Sequence, residues 1–218
     1  MATRRPLSFF FEIPNIVTDD IYAYSNIYIY RSRNSGLDWE MLYFNKNDYI
    51  AKLIVNPSNS NKLFKISNTD YKIEEEVIYS KNGDNSRGIK SPLLDESCKE
   101  YCKQLEVSTN SGKNWEKVYL NGVTKFKHMD IDVSQGKIIV LAVGKNNATH
   151  FFQSTDEGKT YIDLDYETEL TIGGKLYDYP KFVRLIDNTT HILIASSSAI
   201  AGGYIDGDRM QIYHMSVN

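Results

Sequence analysis

At 218 residues and 25.0 kDa the chain is long enough to bury one full core. Its 41% hydrophobic and 24% charged residues are ordinary for a folded domain and exclude disorder on a large scale. A net charge of −3 and an isoelectric point near 5.8 provide no global basic field for nucleic-acid phosphates, and no apolar run reaches the roughly 18 residues of a helical membrane span.

The sixteen tyrosines favour pleated sheets whose edges stay wet, so an all-β protein is expected. The opening "MATRRPLSFFFEIP" carries two arginines but only a short apolar run and no small-residue cleavage pattern. It does not read as an intact export signal, and a chain that begins after a removed signal would look the same.

Four units of β-favouring runs follow in chain order. The first gives "IYAYS", "IYIYRS" and "WEMLYF", with its opening strand hard to find near Ile16. The second gives "YIAKLIV", "KLFKIS", "KQLEVS" and "WEKVYL", interrupted between Ser67 and Lys103. The third gives "KFKHMDIDV", "GKIIVLAVG", "THFFQS" and "TYIDLDY". An irregular link, "YETELTIGGKLYDYP", leads to a fourth with "KFVRLID", "HILIASSS" and "MQIYHMSV".

One turn recurs between the third and fourth runs of the first three units. Its copies are Ser32, Asn34, Gly36 and Trp39; Ser108, Asn110, Gly112 and Trp115; and Ser154, Asp156, Gly158 and Tyr161, all fitting S-x-[N/D]-x-G-x-x-[W/Y]. The serine hydroxyl and the short Asn or Asp side chain bond main-chain groups within the turn. Glycine supplies the positive φ, and the aromatic residue opens the return strand.

The pattern resembles the Asp-box, or bacterial neuraminidase repeat, which joins the outer strands of a β-propeller blade. That resemblance implies a single-domain small propeller over 1–218, four-bladed with five as the alternative, and an insertion at about 68–103. The fourth unit lacks an outer strand, so Leu7 to Ile13 is expected to fill that position and close the ring.

The insertion, "SNTDYKIEEEVIYSKNGDNSRGIKSPLLDESCKEYC", is polar and charged. A hairpin is expected over "IEEEVIYSKNGD" and a helical turn over "LLDESCKEYCKQL". Cys98 and Cys102 read as a local disulfide or two free thiols, with metal binding the least favoured of the three. Long inserts on repeat scaffolds carry binding, which makes Tyr71, Glu74, Glu75, Glu76, Tyr79, Arg87 and Tyr101 the candidate partner-contacting residues.

The neuraminidase resemblance also raises glycoside hydrolysis, which needs an arginine cluster, a tyrosine and an acid. Of Arg4, Arg5, Arg31, Arg33, Arg87, Arg184 and Arg209, too few are expected to reach a central pocket, and a sialidase is disfavoured. His128, His150, His191 and His214 fall in predicted strands at similar blade positions, away from any nucleophile motif. Asp19, Asp20 and the Glu74–Glu76 run read as solvated faces, and Asp206-Gly207-Asp208 lacks the downstream glutamate of a calcium loop. No catalytic residue, cofactor or metal is assigned.

The expectation is a non-catalytic scaffold that binds another protein. Its short length, eroded boxes and cysteine pair resemble the small envelope-located immunity proteins that bacteria keep against type VI secretion toxins, some of them lipases. Such a resemblance implies a cognate toxin as partner and a periplasmic or envelope location, with the cytoplasm as alternative. A carbohydrate-binding module, with tyrosines stacked on sugar faces, is the second reading.

Overall fold

The computed structural model describes residues 10–12, 19–45, 48–68, 75–79, 85–89, 103–134, 136–144, 148–164, 171–172, 175–176, 182–185, 191–198 and 209–216. Every named element in them is a β-strand, and every pairing is antiparallel.

The first sheet runs β1 (Phe10–Glu12), β2 (Ile21–Tyr24), β3 (Tyr28–Ser32) and β4 (Glu40–Phe44), in that spatial order. The second holds β5 (Tyr49–Asn56), β6 (Asn59–Asn68), β9 (Lys103–Ser108) and β10 (Glu116–Lys117). Between β6 and β9 the chain leaves to form a separate hairpin of β7 (Glu75–Tyr79) and β8 (Asn85–Ile89). The insertion therefore falls between the second and third strands of its unit. The third sheet is β11 (His128–Ser134), β12 (Lys137–Val143), β13 (Thr149–Ser154) and β14 (Ile162–Asp163). A small hairpin, β15 (Thr171–Ile172) and β16 (Lys175–Leu176), lies within the link read as irregular. The fourth sheet is β17 (Phe182–Leu185), β18 (His191–Ser198) and β19 (Arg209–Ser216).

Two expectations need correction. Phe10–Glu12 pairs with β2, as Phe10 opposite Tyr24 and Glu12 opposite Tyr22, so this segment opens the first sheet and does not occupy the outer edge of the last. A hairpin to the next strand in sequence closes a short loop, which costs less entropy than a pairing across the whole chain. It also supplies the opening strand sought near Ile16, a position outside the described residues. The histidines are likewise not equivalent: His128 begins a first strand, His150 and His214 lie on third strands and His191 on a second.

The sheets stack face to face through three apolar clusters. Tyr22, Tyr24, Ile29, Leu53 and Leu63 join the first sheet to the second. Phe64, Ile66, Leu105, Met129, Ile131, Ile138 and Val140 join the second to the third. Ile139, Leu141, Val143, Phe151 and Val183 join the third to the fourth. The alternation explains why strands such as "GKIIVLAVG" are apolar throughout: Ile138, Val140 and Ala142 serve one seam, and Ile139, Leu141 and Val143 the other.

The first strands of successive sheets also meet, β5 packing on β1 and β11, and β11 on β17. These strands form the inner side of the stack, and the repeated turns lie at the opposite, outer end of the first three sheets.

Candidate functional site

The three turns share one hydrogen-bond plan. Gly36 N donates to Ser32 Oγ, Gly112 N to Ser108 Oγ and Gly158 N to Ser154 Oγ, each at 2.8 Å. The amide oxygens of Asn34 and Asn110 and a carboxylate oxygen of Asp156 accept from the main-chain nitrogens of Asp38, Asn114 and Thr160 at 2.8 to 2.9 Å. Ser35, Ser111 and Glu157 each take positive φ just before the glycine, at 54°, 63° and 60°. Trp39 and Trp115 each donate an indole N–H to the carbonyl of their own glycine at 3.0 Å. Tyr161 cannot reproduce that bond: its hydroxyl is buried without a hydrogen-bond partner among the described residues, and burial pushes its ionisation above the ordinary tyrosine range. The serine hydroxyl and the Asn or Asp side chain of each motif are used to hold their own turn.

On the inner side, Asp130 of β11 is the hub. Its Oδ1 accepts from Lys52 Nζ of β5 at 2.7 Å, and its Oδ2 accepts from Val183 N and Arg184 Nη1 of β17, each at 2.9 Å. Lys52 also donates to the Ile131 carbonyl at 2.7 Å, and Asp132 Oδ2 accepts from Leu185 N at 2.8 Å. Arg184 reaches the inner side, and there it secures the fourth sheet to the third. Both oxygens of Asp130 are committed to such bonds, and the arrangement is an anchor between sheets.

A second ionic node fills the seam between the first and second sheets. Lys65 is fully buried, with Nζ 2.8 Å from Asp48 Oδ2, 2.7 Å from Glu106 Oε2 and 3.0 Å from Tyr43 Oη. The ammonium also lies 4.1 Å from the centre of the Tyr43 ring and 5.0 Å from that of Trp115. Burial alone would lower its pKa, but Glu106 and Asp48 outweigh burial and raise it. A third pair, Arg31 with Asp20, is bidentate at 3.2 and 2.7 Å. Asp20 is thus structural, and Asp19 Oδ1 accepts from Ser35 Oγ within the first turn.

On the outer rim between the second and third sheets, the Asn121 amide donates to Asp163 Oδ2 at 3.0 Å, and His150 Nδ1 lies 3.0 Å from the same oxygen. That contact sets the Leu120–Val123 turn, with Asn121 and Gly122 at positive φ, beside β14. Tyr119, Val123 and Ile162 stand there 65%, 46% and 67% exposed.

Of the candidate contact residues, Glu75, Glu76, Tyr79 and Arg87 fall on the β7–β8 hairpin. Tyr71, Glu74, Tyr101, Cys98, Cys102, Asp206 to Asp208 and residues 93–102 of the expected helical turn lie outside the described residues, while its last three, Lys103 to Leu105, form the start of β9, a strand and not a helical turn. Among the described residues no group of histidine, cysteine or carboxylate side chains could hold a metal ion, and no helix is long and apolar enough to cross a membrane. Sequence reading missed the Asp130 and Lys65 nodes because no local spacing marks them: Lys52 and Asp130 are 78 residues apart.

No family model and no curated protein matches this chain. Among solved structures it is similar to an ancestral GH74 enzyme, at 14% identity and a TM-score of 0.52, over 96% of this chain and 24% of that one. It is also similar to a chain in the S. cerevisiae complex of a Dbp5 variant with Nup159, a Gle1 variant, IP6 and ADP, at 12% identity and a TM-score of 0.51, over 92% of this chain and 43% of that one. The chain spans less than half the length of either. Antiparallel sheets stacked face to face with their first strands together, and this likeness to the GH74 propeller, make the fold an all-β, propeller-like one.

Proposed function

We propose that this protein is a non-catalytic propeller that binds another protein, and that its partner is a bacterial toxin which it occludes as an immunity protein of the cell envelope. The observation that carries the binding reading is the set of Tyr119, Val123 and Ile162, exposed side chains on the two rim segments that the Asn121–Asp163 bond joins. The β7–β8 hairpin, leaving the second sheet, offers a second contact from the same unit. Asp130 fits the non-catalytic reading, since Lys52, Val183 and Arg184 already bond both oxygens of this inner-side carboxylate. The toxin assignment rests on the sequence resemblance, and a negative net charge suits a basic partner.

The test is co-purification with the product of the adjacent gene, followed by titration calorimetry. Tyr119→Glu and Ile162→Glu should each weaken binding at least about tenfold with the melting temperature unchanged. Full protection of target cells by both variants would remove these residues from the interface. Binding on a glycan array without binding to the neighbouring product would favour the carbohydrate reading.

A further inference from the structure

We propose that Asn68 and Lys103 form a binding site for a carboxylate at the root of the insertion, where β6 ends and β9 begins. The two residues stand directly opposite each other in an antiparallel pair, so their side chains lie on the same side of the second sheet. Asn68 continues the row of Phe64 and Ile66, and Lys103 that of Leu105 and Val107, all of which line the seam with the third sheet. Phe126, of the same apolar cluster, lies beside them: Lys103 N donates to its carbonyl at 3.0 Å, and its own N donates to the Lys103 carbonyl at 2.9 Å.

Both polar side chains are unmatched there. Asn68 is 5% exposed, and its Oδ1 is buried with no hydrogen-bond partner among the described residues. Lys103 is partly buried, and its ammonium forms no ion pair among the described residues. Lys52, Lys62 and Lys65 are each matched, to Asp130 at 2.7 Å, to Glu157 at 3.9 Å, and to Asp48 and Glu106 at 2.8 and 2.7 Å. None of these acids compensates Lys103: Glu106 and Lys65 face the seam with the first sheet, and both oxygens of Asp130 are taken by Lys52, Val183 and Arg184. Burial accordingly holds the Lys103 amine below the ordinary lysine range, the reverse of Lys65.

A partly dehydrated cation without a counter-ion is costly, and an incoming anion relieves that cost. The Asn68 amide, turned about its last bond, presents its NH2 where the buried oxygen now lies. One ammonium and one amide then donate to the two oxygens of a single carboxylate, one negative charge against one positive. A phosphate dianion would leave a charge unmatched beside Leu105 and Phe126. The carboxylate is that of an acidic side chain on a protein partner or of a small free acid, and two probes separate these sources.

The test follows the lysines of the full-length protein by NMR, with carbon-13 at Cε and the Lys103 resonance assigned by its loss in Lys103→Arg. In sodium chloride Lys103 should titrate below the exposed lysines. Replacing chloride by acetate at constant ionic strength should raise its midpoint by about half a pH unit or more and leave the exposed lysines unmoved. The blocked peptide Ac-Gly-Asp-Gly-NH2 is the second probe: a response at lower concentration than acetate assigns the site to a partner's acidic side chain, and the reverse order to a small acid. Asn68→Leu should keep the low midpoint in chloride and weaken the acetate response at least about threefold. Lys103→Met should raise the melting temperature in chloride, because it removes an unpaired cation, and should cancel the stabilisation by acetate. A Lys103 that titrates with the exposed lysines in chloride overturns the proposal, as does one that neither probe moves, or a Lys103→Met protein as sensitive to acetate as the unaltered chain. Toxin binding enters none of these readouts, so the outcome is independent of the function proposed above.

Discussion

Lys65 and Asp48 form a buried ion pair at 2.8 Å that ties the second strand of one sheet to the connection leading out of the sheet before it. Glu106 completes the node at 2.7 Å, so one fully buried ammonium faces two carboxylates.

Replacing Lys65 by methionine keeps most of the volume but leaves both carboxylates without their cation. The expected loss is about 3–5 kcal/mol in urea unfolding, the cost of breaking a buried pair on one side. Its pH signature is alkaline. A lysine raised in the folded state contributes fully below its ordinary value of 10.5 and loses that contribution as pH rises through the higher folded value. Tyr43, raised by burial, titrates in the same region, so the informative quantity is the melting temperature of the unaltered protein minus that of Lys65→Met. That difference should shrink above about pH 10.5, the ordinary lysine value.

Asp130→Ala should loosen the fourth sheet from the third. It strips Lys52 and Arg184 of their shared partner and leaves the Val183 amide unpaired, for an expected cost of about 3–5 kcal/mol. Hydrogen exchange checks the location: amides of β17 should exchange faster, and those of β2 and β3 should not change.

Alanine at the turn glycines should separate two effects. Gly36 and Gly158 share positive φ, 90° and 84°, which costs alanine about 1–2 kcal/mol at either site. Only at Gly158 would the new methyl collide, 2.9 Å from the Tyr161 hydroxyl, 3.0 Å from Ile138 and 3.2 Å from Phe64, against 3.7 Å at the nearest for Gly36. Gly158→Ala should therefore be the worse by a further ~1–3 kcal/mol. Equal losses by thermal unfolding would contradict the packing of the third turn against the second sheet.

Asp156 is held well below the usual carboxylate range, chiefly by the hydrogen bonds from Thr160 Oγ1 and Thr160 N and by that from Ser154. A carboxyl depressed in this way contributes above its ordinary value of 3.8 and loses the contribution as pH falls below it. Asp156→Asn should fold normally, because Asn34 and Asn110 hold the same bonds in the other two turns, and should show a flatter fall in melting temperature between pH about 5 and 2. Asp156→Ala should lower the melting temperature at neutral pH as well.

The sequence by itself determined the turns and most of the strands. Ser32, Asn34, Gly36 and Trp39 and their two sets of counterparts act on main-chain atoms at most four residues away, so their roles are written in local order. The apolar run Ile138, Ile139, Val140 and Leu141 likewise foretold a strand, and the structure buries it on both sides. Tertiary structure alone decided that Phe10–Glu12 joins its neighbour in the first sheet, since an apolar strand pairs with whichever open edge costs least to reach. It also decided that Lys52, Asp130 and Arg184 meet, and that Lys65, Asp48 and Glu106 share one buried site. Charges brought together across dozens of residues leave no periodic trace in the chain, because stacked sheets and not local spacing set the distance between them.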